Sequence, residues 1–330
     1  MLRTISAMLA CLLLLAGCMG CSVSEKRVER TAFYFDTAVS ITLYGGQEAW
    51  LDEAFAQCAR YERIFSRTNA QSELYALNHA DGQPMVCSDA LVQVITAAVQ
   101  YSTLSDGKFD VTIAPYSDLW DFTAQQPTLP DANALKAAGK RVGYENIQIK
   151  GNTVTLLSGA QLDLGGIAKG YIADRLAELL TEKGANAVLS LGGNVMLIGE
   201  KSNGAAYTVG IKNPENTAEL AAKLRARGGL SVVTCGDYER CFTLDGVRYH
   251  HILDVSSGMP AESDLRAVTV IAPSSMQADA LSTICFLLGE QAGKALIERL
   301  DGVEAVFVNQ HNAVTCTDGI GDTDALSIEL

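Results

Sequence analysis

The chain has 330 residues, 48% of them hydrophobic, and its 38 acidic and 25 basic residues give a formal net charge of −13. Past the N-terminal segment roughly 300 residues remain, which suits one large domain or two closely packed ones with a substantial core. The acidic balance argues against a surface that binds nucleic acid or an anionic membrane, so we expect no nucleic-acid partner.

The chain opens with an apolar run. Met8 to Ala16 is too short for a stable transmembrane helix and is typical of a secretory signal. The run ends in Leu15-Ala16-Gly17-Cys18, which resembles the bacterial lipobox, where the signal is cut before a cysteine that is then lipidated. We therefore expect a signal peptide at 1–17, a lipid anchor on Cys18, a tether at 18–30 and a domain at 31–330 on the extracytoplasmic side of the bacterial cell membrane. The alternative is an ordinary cleaved signal in which Cys18 is incidental.

Apolar periodicity predicts strands and helices in the first half of the chain. We expect a strand at 33–43, a hairpin at 147–150 and 153–157, and helices at 48–65, 88–105 and 131–140. A polar loop follows the first helix and leads into a short helix that Ser72 can cap. Residues 107–120 mix glycine, proline and aromatic residues, which is typical of a shaped loop. Such a loop either carries function or plugs the core with its aromatic side chains.

The segment from Asp163 to Arg175 organises the rest of the chain. Leu162 and Leu164 continue a β-prone run, and an apolar helical period begins after Gly165-Gly166, so we expect a strand that turns directly into a helix. A helix that starts in this way presents free backbone N–H groups and a positive dipole end, which favour a phosphate. Lys169 adds a mobile charge and Asp163 adds an acceptor. The alternative is that the glycines only permit close packing.

The second half predicts a further set of sheet strands. They are expected at 187–191, 194–199, 207–211, 229–234, 247–253, 266–271, 305–308 and 313–315, with a helix at 276–288. Residues 235–240 are too charged for a core. Cys58 and Cys285 lie on apolar helix faces and are predicted to be buried thiols. Strands and helices alternate without a strict βαβ repeat, so an α+β fold with a mixed or antiparallel sheet fits best.

Asp279 and Thr283 are four residues apart on the predicted helix, so their oxygens share one face. A carboxylate and a hydroxyl, completed by a backbone carbonyl and by water or phosphate, form a ligand set for Mg²⁺ or Ca²⁺. The alternative is an aspartate favoured by the helix dipole and a threonine bonded back to its own helix.

His251 stands at a strand end before a turn and is a candidate general base, because histidine suits proton transfer near neutral pH. Only one of the adjacent pair His250 and His251 can point to a given face, and we choose His251 because it shares a face with Leu253. A core or surface histidine without a catalytic role is the alternative.

Taken together, these stretches resemble the ApbE family, the FAD:protein FMN transferases, over nearly the whole mature chain. The matching units, in chain order, are Phe65-Ser66 with Ser72-Glu73-Leu74 and Leu77-Asn78, Gly107-Lys108-Phe109-Asp110-Val111-Thr112 with Leu119-Trp120, Asp163-Leu164-Gly165-Gly166-Ile167-Ala168-Lys169-Gly170, Gly192-Gly193-Asn194, Gly236-Asp237-Tyr238-Glu239-Arg240, His251-Ile252-Leu253-Asp254, and Asp279-Ala280-Leu281-Ser282-Thr283.

The resemblance implies a two-part α+β fold with FAD in the cleft between its halves. It implies an Mg²⁺ ion held by Asp279, Thr283, Ser282 and the backbone carbonyl of Gly166, with His251 near the reacting centre. The same match implies an FAD site lined by Lys108, Phe109, Asp110, Asp163, Lys169 and Ile252. The sequence departs from the family at Phe35-Asp36-Thr37, where Met-Gly-Thr is frequent, and near Thr68, where an aromatic is frequent; Phe35 can still cover the flavin ring.

The implied reaction is Mg²⁺-dependent transfer of FMN from FAD to a threonine or serine hydroxyl of a client protein, with release of AMP. A respiratory or electron-transfer flavoprotein is the expected client. Two other functions remain open at this point. One is an Mg²⁺-dependent FAD pyrophosphatase that uses water as the nucleophile, and the other is a flavin-binding lipoprotein without catalysis.

Overall fold

The computed structural model describes residues 27–201, 203–321 and 326–330. The predicted signal peptide and the lipidation site at Cys18 lie outside these ranges. Within them, none of the helices has the length and apolar character needed to span a membrane.

The helices follow the predicted periodicity closely. The helix expected at 48–65 has those bounds, and Ser72 caps the short helix after it by accepting a hydrogen bond from the Tyr75 N–H. The loop expected at 107–120 contains one helical turn that the sequence did not predict. The helices in chain order are Glu48–Phe65, Glu73–Asn78, Asp89–Leu104, Ala114–Ser117, Ala132–Gly139, Ala168–Glu182, Ser275–Leu288 and Glu290–Ile297, with a 3₁₀ turn at Tyr144–Asn146.

The strands pair in antiparallel fashion throughout the named sheets, which confirms the α+β class. They are β1 Arg27–Tyr34, β2 Thr37–Tyr44, β3 Met85–Val86, β4 Ile147–Lys150, β5 Thr153–Leu156, β6 Asn186–Leu191, β7 Asn194–Ile198, β8 Tyr207–Lys212, β9 Leu220–Ala226, β10 Ser231–Gly236, β11 Cys241–Leu244, β12 Val247–His250, β13 Leu265–Ala272, β14 Glu304–Asn309, β15 Val314–Cys316 and β16 Leu326–Glu329.

An eight-stranded sheet of order β1-β2-β6-β7-β10-β13-β14-β15 forms the centre of the fold. Its main core includes apolar side chains of the helices Glu48–Phe65, Ala168–Glu182 and Ser275–Leu288. A second core joins the large sheet to a three-stranded sheet of order β16-β9-β8. A third, smaller cluster is aromatic and lies around Tyr116 and Trp120. Cys58 and Cys285 are buried free thiols, as predicted.

Three predictions about elements are wrong. The folded domain begins inside the expected tether, because β1 starts at Arg27 and pairs along its length with β2. The hairpin β11–β12 was predicted only as one strand. The segment at 235–240 is not wholly exposed, since the Asp237 carboxylate is buried and pairs with the Arg266 guanidinium at 2.8 Å.

The strand expected before Gly165-Gly166 is reduced to a single parallel bridge between Gln161 and Ile113, because β5 ends at Leu156. The extended backbone at Leu162 is instead held by a side chain: Asn78 Nδ2 donates to the Leu162 carbonyl at 2.9 Å, and Asn78 Oδ1 accepts from the Leu162 N–H at 2.7 Å. One amide thus satisfies both backbone groups that a neighbouring strand would pair, and it fixes the approach to the helix Ala168–Glu182.

Candidate active site

A cleft of about 700 Å³ opens between the loop 107–123, the turn at Phe35-Asp36 and the start of the helix Ala168–Glu182. The large sheet contributes one wall through Asn194 and Cys235. All the site residues predicted from the sequence line this one cleft: Phe35, Thr68, Lys108, Phe109, Asp110, Asp163, Gly166, Lys169, His251, Ile252, Asp279, Ser282 and Thr283. Their individual roles stay predictions.

Asp279 joins the two helices that meet at the cleft. Its carboxylate is buried and accepts a hydrogen bond from the Gly170 N–H at 2.9 Å, and Lys169 Nζ lies 3.8 Å from its other oxygen. The helices touch closely at Gly170, where a Cβ atom would collide with the backbone of Ser275. Glycine at this position therefore serves packing, whereas Asp279 fixes how the two helix ends face each other.

Several backbone N–H groups at the start of the helix Ala168–Glu182 already have partners within the protein. The Gly165 N–H donates to Asp163 Oδ1 at 3.0 Å, the Ala168 N–H donates to the Leu164 carbonyl at 2.9 Å, and the Gly170 N–H donates to Asp279. These donors are already used, so they are not free to face a ligand. The mobile charge of Lys169, whose Nζ donates to the Gly165 carbonyl at 2.6 Å, is the main cation on this side of the cleft.

The oxygen donors beside Asp279 fit a hard divalent cation. A Cβ atom on Gly166 would lie 3.5 Å from Thr283 Oγ1, so the Gly166 backbone and this hydroxyl are neighbours. The Thr283 hydroxyl donates only to the Cys235 thiol at 3.8 Å, whereas the Ser282 hydroxyl donates to the Asp279 carbonyl at 2.8 Å. Among the described residues no group of three His, Cys, Asp or Glu side chains could hold a metal. Any cation here must therefore rely on Asp279, hydroxyl and carbonyl oxygens, and the ligand's own phosphates.

The loop that carries Lys108, Phe109 and Asp110 is fixed from within. Asp110 Oδ1 accepts from the Thr112 N–H at 2.7 Å and from its hydroxyl at 2.6 Å, and Oδ2 accepts from the Tyr144 N–H at 2.7 Å. Burial raises the pKa of the Asp110 carboxyl, although these hydrogen bonds oppose the shift. Asp110 therefore organises the loop, while the exposed Lys108 and the buried ring of Phe109 are placed toward the cleft.

His251 lies in the cleft and its neighbour His250 does not, which agrees with the choice made from strand alternation. Burial, reinforced by the positive charge of Arg240, lowers the pKa of His251 to about 4. Its Nδ1 is buried, and no partner within the described ranges bonds to it. The ring is thus neutral at pH 7 and able to accept a proton.

The comparisons with known proteins agree with this geometry. The model of the ApbE family matches residues 35–307. The chain belongs to the ApbE family. An FAD:protein FMN transferase of Treponema pallidum is 34% identical over 95% of this chain and 93% of its own length. A second FAD:protein FMN transferase, from Klebsiella pneumoniae, is 34% identical over 88% of this chain and 92% of its own length.

Solved structures of ApbE proteins share the fold. The ApbE protein of Thermotoga maritima superposes with a TM-score of 0.81 at 30% identity, covering 89% of this chain and 98% of its own. The flavin transferase ApbE of Vibrio cholerae superposes with a TM-score of 0.80 at 25% identity, covering 89% and 97%. The resemblance read from the sequence motifs is thereby confirmed.

Sequence reasoning missed several residues of this ApbE cleft. Arg67 pairs with Asp118 and lies 3.3 Å from Asp163, so it ties the loop after the first helix to both other loops of the cleft. Arg240 is exposed, and its guanidinium makes a long 3.5 Å contact with the Asp36 carbonyl. The sequence contained only weak signals for these two, because their partners lie far away along the chain.

Two further members of the cleft wall come from the large sheet. Asn194, the last residue of the family-matching unit Gly192-Gly193-Asn194, is buried, and its Nδ2 lacks a partner in the described structure. Cys235 was not predicted, and burial raises the pKa of its thiol to about 12. The amide is therefore a free donor facing the cleft, whereas the thiol is protonated and unreactive at pH 7.

Proposed function

We propose that this protein transfers FMN from FAD to a serine or threonine hydroxyl of a client protein and releases AMP. The observation that carries the proposal is the convergence of the predicted cofactor, metal and catalytic residues, from six separate stretches of chain, on one cleft of about 700 Å³. That volume lies in the range of small-molecule sites, roughly 300–1,000 Å³. The names of the relatives support the same activity.

The cleft is lined by both apolar and charged side chains. Phe35, Phe109 and Ile252 provide flat or aliphatic surface that suits a flavin ring, while Lys169 and Asp279 provide the charges that suit a pyrophosphate and its cation. Mg²⁺, when bound at Asp279, Thr283 and the Gly166 carbonyl, would neutralise phosphate charge as it grows during transfer. Lys169 contributes positive charge directly, within 3.8 Å of the same carboxylate.

The hydroxyl of the client attacks the phosphorus nearer the riboflavin, a new P–O bond forms, and the bond to the AMP oxygen breaks. AMP leaves as a phosphate with a second pKa of about 6, so it needs little help from an acid. The attacking hydroxyl does need a base, and the neutral ring of His251 can take its proton.

We further propose that the enzyme works from a lipid anchor on Cys18 at the outer face of the cytoplasmic membrane.

The test is intact-mass spectrometry of a peptide library that has one central threonine and randomised flanks. The library is incubated with the protein from Ser22 onward, FAD and Mg²⁺. We expect some members to gain the mass of FMN while AMP appears in equal amount. The Asp279→Asn variant should lose this activity, whereas Asp131→Asn, which keeps an exposed helix cap outside the cleft, should retain it. Production of FMN and AMP with no modified peptide would favour hydrolysis and contradict the proposal.

A further inference from the structure

The hairpin β11–β12 projects beside the cleft and belongs to none of the larger sheets. Its two-residue turn, Asp245-Gly246, has positive φ at both positions, 50° and 78°, which is typical of a type I′ turn. Phe242 and Tyr249 pair across the strands and stack with ring centroids 5.3 Å apart. Both rings also lie near Trp120, at 6.3 and 5.9 Å, so the aromatic cluster holds the hairpin in place.

The hydrogen-bond register of the hairpin shows which backbone groups point outward. The His251 N–H donates to the Arg240 carbonyl at 3.1 Å, so this pair is hydrogen-bonded. Such pairs alternate with non-bonded ones, so the backbone groups of Cys241 and Thr243 on β11 point away from β12. Within the described ranges, β11 pairs with no strand other than β12.

The two edges of this hairpin differ in access at the end nearer the cleft. On β12 the outward positions are Arg248, which is exposed, and His250, which is buried, whereas on β11 Thr243 is exposed and Cys241 is half-buried. Leu244 is also half-buried and continues the aromatic face of the hairpin toward the tip. An open strand edge with an apolar side chain at its end is a template for another extended chain.

The edge of β11 leads directly into the reacting centre. Arg240, the residue before β11, lines the cleft together with His251. At about 3.3 Å per residue, Thr243 lies roughly 10 Å along the strand from Arg240. A segment paired to this edge would therefore run toward the cleft that Arg240 and His251 line.

We propose that the acceptor segment of the client protein binds in extended conformation along the free edge of β11 and so delivers its hydroxyl to His251. The inference rests on the proposed function. Main-chain hydrogen bonds to Cys241 and Thr243 supply affinity that does not depend on the client's sequence. Contact with Leu244 favours an apolar residue in the flank that pairs with β11.

The test uses the peptide that the wild-type protein modifies best in the randomised library. Thr243→Pro removes one outward N–H, and proline is tolerated at such an edge position. Thr243→Val keeps that N–H and is its matched control. Leu244→Ala removes the apolar contact at the edge, and Val247→Ala, across the same turn on β12, is the control for it. We expect Thr243→Pro and Leu244→Ala each to raise the KM for the peptide about tenfold, with FAD affinity unchanged.

Equal KM values in the wild type, Thr243→Pro and Leu244→Ala would overturn the docking inference while leaving the transfer reaction intact. A similar rise in Val247→Ala and Thr243→Val would also overturn it, because the effect would then reflect a damaged hairpin. If Thr243→Pro loses FAD binding, the docking inference is judged by comparing the peptide KM of Leu244→Ala with that of Val247→Ala. Failure of the wild type to modify any library member would instead contradict the proposed function.

Discussion

At the scale of a single residue, Asp279 has a structural role through a hydrogen bond and a chemical role through its charge. Its carboxylate accepts the buried Gly170 N–H at 2.9 Å, and its charge faces Lys169. Removing the acceptor leaves a buried N–H unpaired, which costs about 1–3 kcal/mol. Replacing the carboxylate with an amide removes the charge but leaves an oxygen that can still accept this N–H. The structural and chemical roles can therefore be measured apart.

We expect Asp279→Ala to lower the free energy of unfolding by about 1–3 kcal/mol, because the Gly170 N–H loses its partner. Asp279→Asn keeps an oxygen acceptor for this N–H and should therefore be destabilised less than Asp279→Ala. Both variants should lose flavin transfer. Denaturant unfolding and transfer assays on the same samples check this. Equal stability of the two variants would show that the hydrogen bond to Gly170 contributes little.

The pH dependence of transfer should reflect His251. Because its pKa is lowered to about 4, the neutral form is present throughout the neutral range, and base catalysis is lost only as pH falls through that value. We expect kcat/KM to be flat from neutral pH to about pH 5 and to fall below it, as for an essential base of the free enzyme. Arg240→Gln removes a nearby positive charge, so it should raise the pKa of His251 and move the fall to higher pH. Circular dichroism at each pH distinguishes loss of base catalysis from acid unfolding. An inflection of the wild-type pH profile near the ordinary histidine pKa would contradict the assignment of the fall to His251.

At the same scale, the sequence identified residues whose chemistry is local. Asp279 and Thr283 are one helical turn apart, and His251 was chosen over His250 by strand alternation; both assignments place the residues in the cleft. Arg67 was missed because its partners Asp118 and Asp163 are 51 and 96 residues away, and no short-range pattern reports such a pair.

At the scale of elements, helices were predicted well because a long amphipathic period is a strong signal, as for Glu48–Phe65. The positions at which strands begin and end were harder to predict. The first half of β1 was predicted as part of a tether because Arg27, Glu29 and Arg30 make it highly charged, although Val28 packs against the core. The turn Asp245-Gly246 is a strong hairpin signal that was passed over. The segment around Leu162 has strand-like composition. It pairs with residues 111–113 on one side, and on its other side the Asn78 side chain takes the place of a partner strand.

Asn78 should therefore behave as part of the element that leads into the helix Ala168–Glu182. Asn78→Asp keeps the acceptor for the Leu162 N–H but places a carboxylate against the Leu162 carbonyl, which needs a donor. We expect it to destabilise the protein by about 1–3 kcal/mol and to weaken FAD binding, since Asp163 follows directly. Asn133→Asp, on an exposed surface helix, is the control. Thermal unfolding and flavin fluorescence titration measure both effects, and a variant as stable as the control would contradict the role given to this amide.

At the scale of the whole molecule, the N-terminal boundary of the folded domain decides whether the edge of the large sheet is complete. β1 forms one edge of the eight-stranded sheet and runs from Arg27 to the turn that overhangs the cleft. The predicted boundary at residue 31 would remove half of this strand. It would also remove Val28, which packs against the core, and Arg30, whose guanidinium bonds to Asp52 at 2.6 Å.

A protein that starts at Thr31 should therefore be less stable than one that starts at Ser22. Partial burial of Val28 and the lost strand pairing together contribute about 1–3 kcal/mol, whereas the exposed ion pair of Arg30 adds little. For a chain of this size, each kcal/mol lowers Tm by roughly 2–4 °C, so a drop of several degrees is expected. A protein that starts at Arg27 keeps all of β1 and should have the same Tm as the protein that starts at Ser22. Because β1 ends at the Phe35 turn, the shortest protein should also bind FAD less tightly, and equal Tm values for all three would place the folded boundary at Thr31 after all.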